Sequence, residues 1–211
     1  MIIHKLVFSP IMVNTYIVEG ISGTCAVIDC GCYSRKEFEE FEKFLDKKKL
    51  IPGLLLNTHM HLDHIFGNGF MLEKYNLRTW CHTLDEMNRE RAIQDALLFG
   101  LKMETPPEPE GYLEDGGTVS LGNLTFKALH VPGHTSGSLA YYCESEGCVF
   151  TGDALFAGNI GRSDLPGGNH DTLVRSIKAK LFSLPPDTIV YPGHGDKTDI
   201  ISEMRFNPFF S

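Results

Sequence analysis

GLLLNTHMHLDHIFGN, residues Gly53–Asn68, is the stretch that decides the architecture. Gly53-Leu54-Leu55-Leu56 is a short uninterrupted apolar run, the pattern of a strand covered on both faces. It runs straight into His59-Met60-His61-Leu62-Asp63-His64, three histidines and an aspartate within six residues. Crowding imidazoles beside an acid is costly unless they share a task. The passage therefore reads as a strand delivering metal-capable side chains at its C-terminal end, ahead of a helix near residues 65–75.

The same device recurs further along the chain. His134 follows a strand in Val131-Pro132-Gly133-His134-Thr135-Ser136-Gly137, Asp153 follows one in Thr151-Gly152-Asp153, and His194 follows one in Pro192-Gly193-His194-Gly195. In each, small residues permit a tight turn and a ligand-type side chain comes next. Strand ends of a layered fold meet along one edge, where loops build sites. Seven groups are thus expected in one place: His59, His61, Asp63, His64, His134, Asp153 and His194. Imidazole and carboxylate donors in this number suit a pair of divalent ions, zinc first, with iron and manganese also accepted. Two dications, two aspartates and one hydroxide leave about +1, a centre that tolerates an anionic substrate. His4, His82 and His130 stand alone and read as structural or surface residues.

Working outward, residues 2–8, 13–19 and 24–29 read as an antiparallel meander broken at Pro10 and Gly20–Gly23. Ser34-Arg35-Lys36-Glu37 is a capping box opening a helix that aligns Phe38, Phe41, Phe44 and Leu45. The basic run Lys47-Lys48-Lys49 closes that helix, where it complements the dipole. A strand is expected at 78–81 and a helix at 84–99. The loop Thr105–Gly111 is the candidate internal boundary. Strands follow at 118–121, 124–131, 138–143 and 147–152, then a glycine-rich loop at 157–169. Asp171 is expected to cap a helix carrying Leu173, Ile177 and Leu181, before a strand at 188–191. The rhythm is that of two similar halves, each a mixed sheet with helices outside.

The bulk composition narrows the class. With 211 residues, 42% hydrophobic and 22% charged, the chain reads as a soluble globular protein of one domain. No apolar window is long enough to span a bilayer, and the N-terminus lacks the features of a signal peptide, so a cytoplasmic location and no membrane partner are expected. A net charge of −8 argues against a nucleic-acid partner. The six cysteines are expected as reduced, buried thiols. Cys30 and Cys32 form a weak pair. Cys143 and Cys148 flank a hairpin loop and are expected opposite each other.

THMHLDH, PGHT, TGD and PGH, in this order over essentially the whole chain, resemble the metallo-β-lactamase superfamily. The resemblance implies an α/β (α+β) fold, an αββα four-layer sandwich of two mixed β-sheets flanked by helices. The loop Gly158–Gly168 and the ending Arg205-Phe206-Asn207-Pro208-Phe209 are more similar to the glyoxalase II-like hydrolases, hydroxyacylglutathione hydrolase relatives of the short single-domain type. By resemblance, His59, His61 and His134 hold one metal ion, Asp63, His64 and His194 hold a second, and Asp153 bridges. Asp29 orients a ligand histidine from behind. The resemblance also implies that this chain lacks the C-terminal helical domain supplying part of the glutathione site in full-length glyoxalase II, and that Asp153 argues against β-lactamase activity.

The function expected is thioester hydrolysis of the S-lactoylglutathione type on a small-molecule substrate, by a metal-bridging hydroxide, with Asp63 binding and orienting. Arg162 is a candidate for a substrate carboxylate, with an ion pair to Asp164 as the equal alternative. The main rival is a persulfide dioxygenase with one iron held at positions matching His59, His134 and Asp153. A phosphodiesterase or nuclease of the superfamily is the lesser one. The oligomeric state stays open.

Overall fold

The computed structural model describes residues 2–210. The first half of the chain contributes β1 (Ile2–Phe8), β2 (Val13–Glu19), β3 (Thr24–Ile28), α1 (Arg35–Lys48), β4 (Ile51–Leu56), α2 (Leu62–Ile65), α3 (Asn68–Tyr75), β5 (Thr79–Cys81), α4 (Glu86–Leu98) and β6 (Gly111–Tyr112). Its six strands lie in sequence order in one sheet, antiparallel from β1 to β3 and parallel from β3 to β6. The second half contributes β7 (Thr118–Leu121), β8 (Leu124–His130), β9 (Leu139–Cys143), β10 (Cys148–Gly152), the hairpin β11 (Leu155–Phe156) and β12 (Asn159–Ile160), α5 (His170–Ser176), β13 (Ile189–Pro192), β14 (Thr198–Asp199) and α6 (Ile200–Phe206). The second sheet has the order β14-β13-β10-β9-β8-β7, with only β10 and β13 parallel.

The alternation of side chains along each strand sorts them into layers. Tyr16, Val18, Ala26, Ile28, Leu54 and Leu56 point from the first sheet toward Phe126, Ala128, Leu139, Tyr141 and Phe150 of the second. The intervening positions Ile17, Cys25, Val27 and Leu55 face outward, onto Phe41 and Leu45 of α1 and Met71 of α3. Ala140, Tyr142 and Val149 face outward from the second sheet, onto Leu173, Ile177 and Leu181, with Ile200 of α6. Helix, sheet, sheet and helix thus make the four layers of the expected αββα sandwich. Among the described residues no helix is long and apolar enough to cross a membrane.

Several local expectations need correction. The helix expected near 65–75 is α3, beginning only at Asn68, with the short α2 (Leu62–Ile65) before it; between them Gly67 lies against Cys30, to whose carbonyl its N–H donates at 2.8 Å. Asn169 caps α5, its Oδ1 accepting from Thr172 N at 2.8 Å, while Asp171 sits inside the first turn. The glycine-rich loop begins inside the β11–β12 hairpin and contains β12, and β6, β11, β14 and α6 had no expectation. The change from one sheet to the other falls after Tyr112, because β6 still pairs with β5 beyond the Thr105–Gly111 loop. The Ser34–Glu37 capping box forms as expected. All six cysteines are buried and free, with Cys143 opposite Cys148 in the β9–β10 pairing.

Phe150 is fully buried between the sheets and packs its ring against Tyr16, Phe126 and Tyr191. Phe150→Ala is expected to cost about 3–5 kcal/mol in unfolding free energy, read as a lower denaturant midpoint with little change in slope.

Candidate active site

Five strands bring their C-terminal ends or following loops to one edge of the sandwich. Immediately after β3, Asp29 takes a left-handed backbone (φ 54°), a conformation that costs energy outside glycine. Its carboxylate accepts from Thr58 N at 2.8 Å, Thr58 Oγ1 at 2.7 Å and Asn57 Nδ2 at 3.3 Å. It also lies 2.9 Å from Nδ1 of the wholly buried His64, close enough for strong attraction though off the ideal N–H direction. Asn57 Nδ2 donates to the His64 carbonyl at 2.8 Å and closes the loop that carries His59, His61, Asp63 and His64. Asp29 therefore sits behind His64.

The other donors arrive through tight backbone approaches. Asp153 follows a register shift between Phe150 and Gly152 in the β10–β13 pairing, and such bulges re-aim the next side chain. A Cβ at Gly161 would stand 1.8 Å from the Asp153 carbonyl oxygen. One at Gly193 would stand 2.2 Å from Asp153 Oδ1 and 2.7 Å from His64 Cε1. These glycines are the places where backbone passes directly against the site.

All seven expected side chains converge. The donor atoms of His59, His61 and His134 lie within 4.8 Å of one another, as do those of Asp63, His64 and His194. Asp153 lies between the two triples, its Oδ1 3.4 Å from His64 Nε2 and its Oδ2 3.7 Å from His134 Nε2 and 3.6 Å from His194 Nε2. His134 Nδ1 donates to the Arg162 carbonyl at 2.7 Å and His194 Nδ1 donates to the Met12 carbonyl at 3.1 Å. In the neutral ring each then turns an Nε2 lone pair inward. There His134 Nε2 meets His59 Nε2 at 3.2 Å and His61 Nδ1 at 2.9 Å, while His194 Nε2 meets Asp63 Oδ2 at 3.2 Å. Buried Asp153 Oδ1 and His64 Nε2 have no hydrogen-bond partner. Inward lone pairs facing carboxylates and one another conflict in low dielectric, and cations among them remove the conflict. The donor set fits divalent metal.

Electrostatics divides the cluster. Burial, reinforced by neighbouring imidazoles, pushes His59 well below its usual range and His61 down to about 3, which keeps both neutral. Burial acts the same way on His64, but Asp29, Asp63 and Asp153 around it prevail and carry it upward. Burial would raise Asp153; His64, His134 and His194 instead hold it below the ordinary carboxylate range.

Five of the seven, His61, Asp63, His134, Asp153 and His194, line a cleft of about 380 Å³ together with Ile11, Leu62, Leu98, Phe99, Leu165 and Pro166 and with Arg91 and Arg162. A larger cavity lined by Tyr33, Phe38, Phe66 and Phe70 contains none of the seven donors. Of the two readings of Arg162, the structure has the ion pair: Nε and Nη2 each contact Asp164 at 2.8 Å. The histidines set aside lie elsewhere, His4 against Glu19 and His82 stacked on His130.

One important residue had no sequence expectation. Asp85, fully buried, accepts from Met60 N at 2.8 Å, Gly137 N at 2.8 Å, Thr135 Oγ1 at 3.1 Å and Asn88 Nδ2 at 3.2 Å. It ties the His59–His64 loop to the loop after His134 and anchors the N-terminus of α4. Its only sequence signal is an acid before a helix, which reads equally well as a solvated cap.

The family model for the metallo-beta-lactamase superfamily matches residues 9–194. The chain belongs to this superfamily. Among its relatives, a protein of Bacillus subtilis called probable metallo-hydrolase YqgX is 35% identical, over 99% of this chain and 97% of its own length. The hydroxyacylglutathione hydrolase GloC of Haemophilus influenzae is 35% identical over 88% of this chain and 87% of its own. Of solved structures, TTHA1623 in a di-iron-bound form superposes with a TM-score of 0.88 at 38% identity, covering 98% of this chain and 99% of that one. The B3 metallo-beta-lactamase BLEG-1 superposes with a TM-score of 0.89 at 32% identity, each chain covered in full. Membership makes this chain a metal-dependent hydrolase of the superfamily, and the fold matches that of its structural neighbours.

Two substitutions test the construction of the site. Gly193→Ala should lower bound metal, measured by elemental analysis, because its Cβ displaces Asp153 or His64, and the far-UV spectrum should be unchanged. Asp85→Ala leaves buried Met60 and Gly137 N–H groups unpaired. It is expected to destabilise the fold by roughly 3 kcal/mol in denaturant titration, and to weaken metal retention as well.

Proposed function

We propose that this protein hydrolyses thioesters of the S-D-lactoylglutathione type. The observation that carries the reading is the pair of donor triples joined by Asp153 on the floor of a cleft open to a small molecule. The name carried by the Haemophilus relative supports the substrate class. His59, His61 and His134 would hold one divalent ion, Asp63, His64 and His194 a second, and Asp153 both. Zinc is the proposed metal, and the di-iron form of TTHA1623 makes iron the alternative. Bound there, such a pair supplies a hydroxide formed near neutral pH and polarises the substrate carbonyl.

The chain's own residues prepare that chemistry. The carbonyls of Arg162 and Met12 hold the His134 and His194 rings with their Nε2 atoms inward. Asp29, 2.9 Å from His64 Nδ1, attracts that ring by charge. Asp63, 3.2 Å from His194 Nε2, orients and binds and is assigned no separate proton transfer. The departing thiolate needs little acid assistance, since thiol pKa values lie near 8.5. The substrate is a small molecule, and the proposed setting is the cytoplasm.

A second reading, a persulfide dioxygenase with one iron at His59, His134 and Asp153, draws on the proximity of those three side chains. Metal analysis separates the two: about two ions per chain for the hydrolase, about one iron for the oxygenase. BLEG-1's name makes β-lactam turnover a necessary control.

The deciding assay is hydrolysis of S-D-lactoylglutathione by metal-analysed protein. A kcat/KM above about 10⁴ M⁻¹s⁻¹ is expected. Chelation should abolish turnover and added metal restore it, and Asp153→Ala should reduce it by at least about 10³-fold with the fold retained. Absent turnover with two ions bound, or faster turnover of a cephalosporin, would remove the thioester reading.

A further inference from the structure

The rim of the cleft carries information that the metal-capable floor does not. α4 presents Asn88, Arg91, Asp95 and Leu98 to it, a spacing of three, four and three residues that aligns them on one helix face. The helix is anchored at its start by Asp85, whose carboxylate also holds Met60 N and Gly137 N beside the donor loops. Arg91 lies six residues further on, about 9 Å along the axis. The stripe is thus held at a set distance from the donors and leads away from them.

The polar groups of the rim differ in how fully they are engaged. Asn88 Nδ2 donates to Asp85. Arg162 is gripped by Asp164 through two contacts of 2.8 Å, the bidentate geometry that makes such pairs strong. Arg91 has one long contact, Nη2 to Asp95 Oδ1 at 3.4 Å, and its side chain is about 38% exposed. A single stretched contact engages a guanidinium less than a bidentate pair does and is the more readily exchanged. A guanidinium in this position can accept a carboxylate through two parallel N–H donors that Asp95 does not use.

We propose that Arg91 is the specificity-determining residue of the cleft, binding a carboxylate on the thiol half of the substrate by exchanging its contact with Asp95. The assignment rests on the thioester reading above for the identity of the substrate. A cleft of about 380 Å³ is larger than a short hydroxyacyl group needs, so the thiol half occupies the part along α4. Leu98, Phe99, Leu165 and Pro166 give that half an apolar trough, and Arg91 fixes its charged end. Arg162 already spends two donors on Asp164, so Arg91 has the more donors free for a substrate carboxylate.

The test separates binding from turnover. The full-length, zinc-loaded protein is titrated calorimetrically with S-methylglutathione, which cannot be hydrolysed as a thioester, and with its dimethyl ester, in which both carboxylates are capped. The wild type is expected to prefer the free acid by about tenfold. Arg91→Ala should abolish the preference, and Arg91→Lys should retain part of it. Asp95→Asn should tighten binding of the free acid, because the competing carboxylate is gone. Arg162→Ala should leave the preference intact. The proposal is overturned if the wild type shows no preference, if Arg91→Ala weakens both ligands equally, or if Arg162→Ala is the variant that removes it. Turnover of S-D-lactoylglutathione and of the uncharged S-D-lactoyl-N-acetylcysteamine is measured in parallel. In Arg91→Ala, KM should rise about tenfold for the first alone, with kcat held. If the wild type turns over neither thioester while the binding pattern holds, the thioester reading fails and the carboxylate assignment to Arg91 stands.

Discussion

Five imidazoles and two carboxylates are crowded so closely that the buried His64 Nε2 and Asp153 Oδ1 find no hydrogen-bond partner. His134 Nε2 faces two other ring nitrogens within 3.2 Å, and His194 Nε2 faces a carboxylate oxygen at the same distance. The conflict belongs to the site's purpose, since cations convert inward lone pairs from a penalty into a coordination shell. The surrounding structure is arranged to hold this arrangement against its own repulsion. Strained or crowded positions, the left-handed Asp29 and the glycines at 161 and 193, lie where that holding is done.

Two buried aspartates divide the structural work. Asp29 binds the backbone and side chain at the end of β4 and reaches His64, so it links a strand of the first sheet to the donor loop. Asp85 binds the same loop at Met60 and the second-sheet loop at Gly137, so it fixes the two sides of the site relative to each other. Neither needs to touch substrate. Each instead turns a flexible loop into a positioned one, by taking backbone N–H groups that would otherwise be unpaired away from water.

The floor and rim of the cleft carry different kinds of information. The floor holds a donor set that one superfamily applies to several reactions, and relatives with different names share this fold closely. Discrimination among substrates therefore falls to the rim, where α4 and the loop after β12 supply charge and apolar surface. There the strength of a pre-existing ion pair decides which arginine is available. Arg162, prominent in the sequence as part of a distinctive loop, contributes its carbonyl oxygen to His134, while its guanidinium is occupied by Asp164.

The sequence by itself determined the layered fold and the membership of the cluster. Alternating apolar positions impose inward and outward faces on each strand. A metal-capable residue directly after a strand must appear at that strand's end, so His59, His134, Asp153 and His194 could be placed on one edge without coordinates. Only the tertiary structure decided the role of Asp85, the break between α2 and α3, and the α4 face that carries Arg91. These depend on residues far apart in the chain: Asp85 with Gly137, Gly67 with Cys30, and α4 lining one cleft together with the donor loops. Local pattern records how a segment repeats along its own axis, and a buried acid or a rim arginine gains its meaning from what packs across from it.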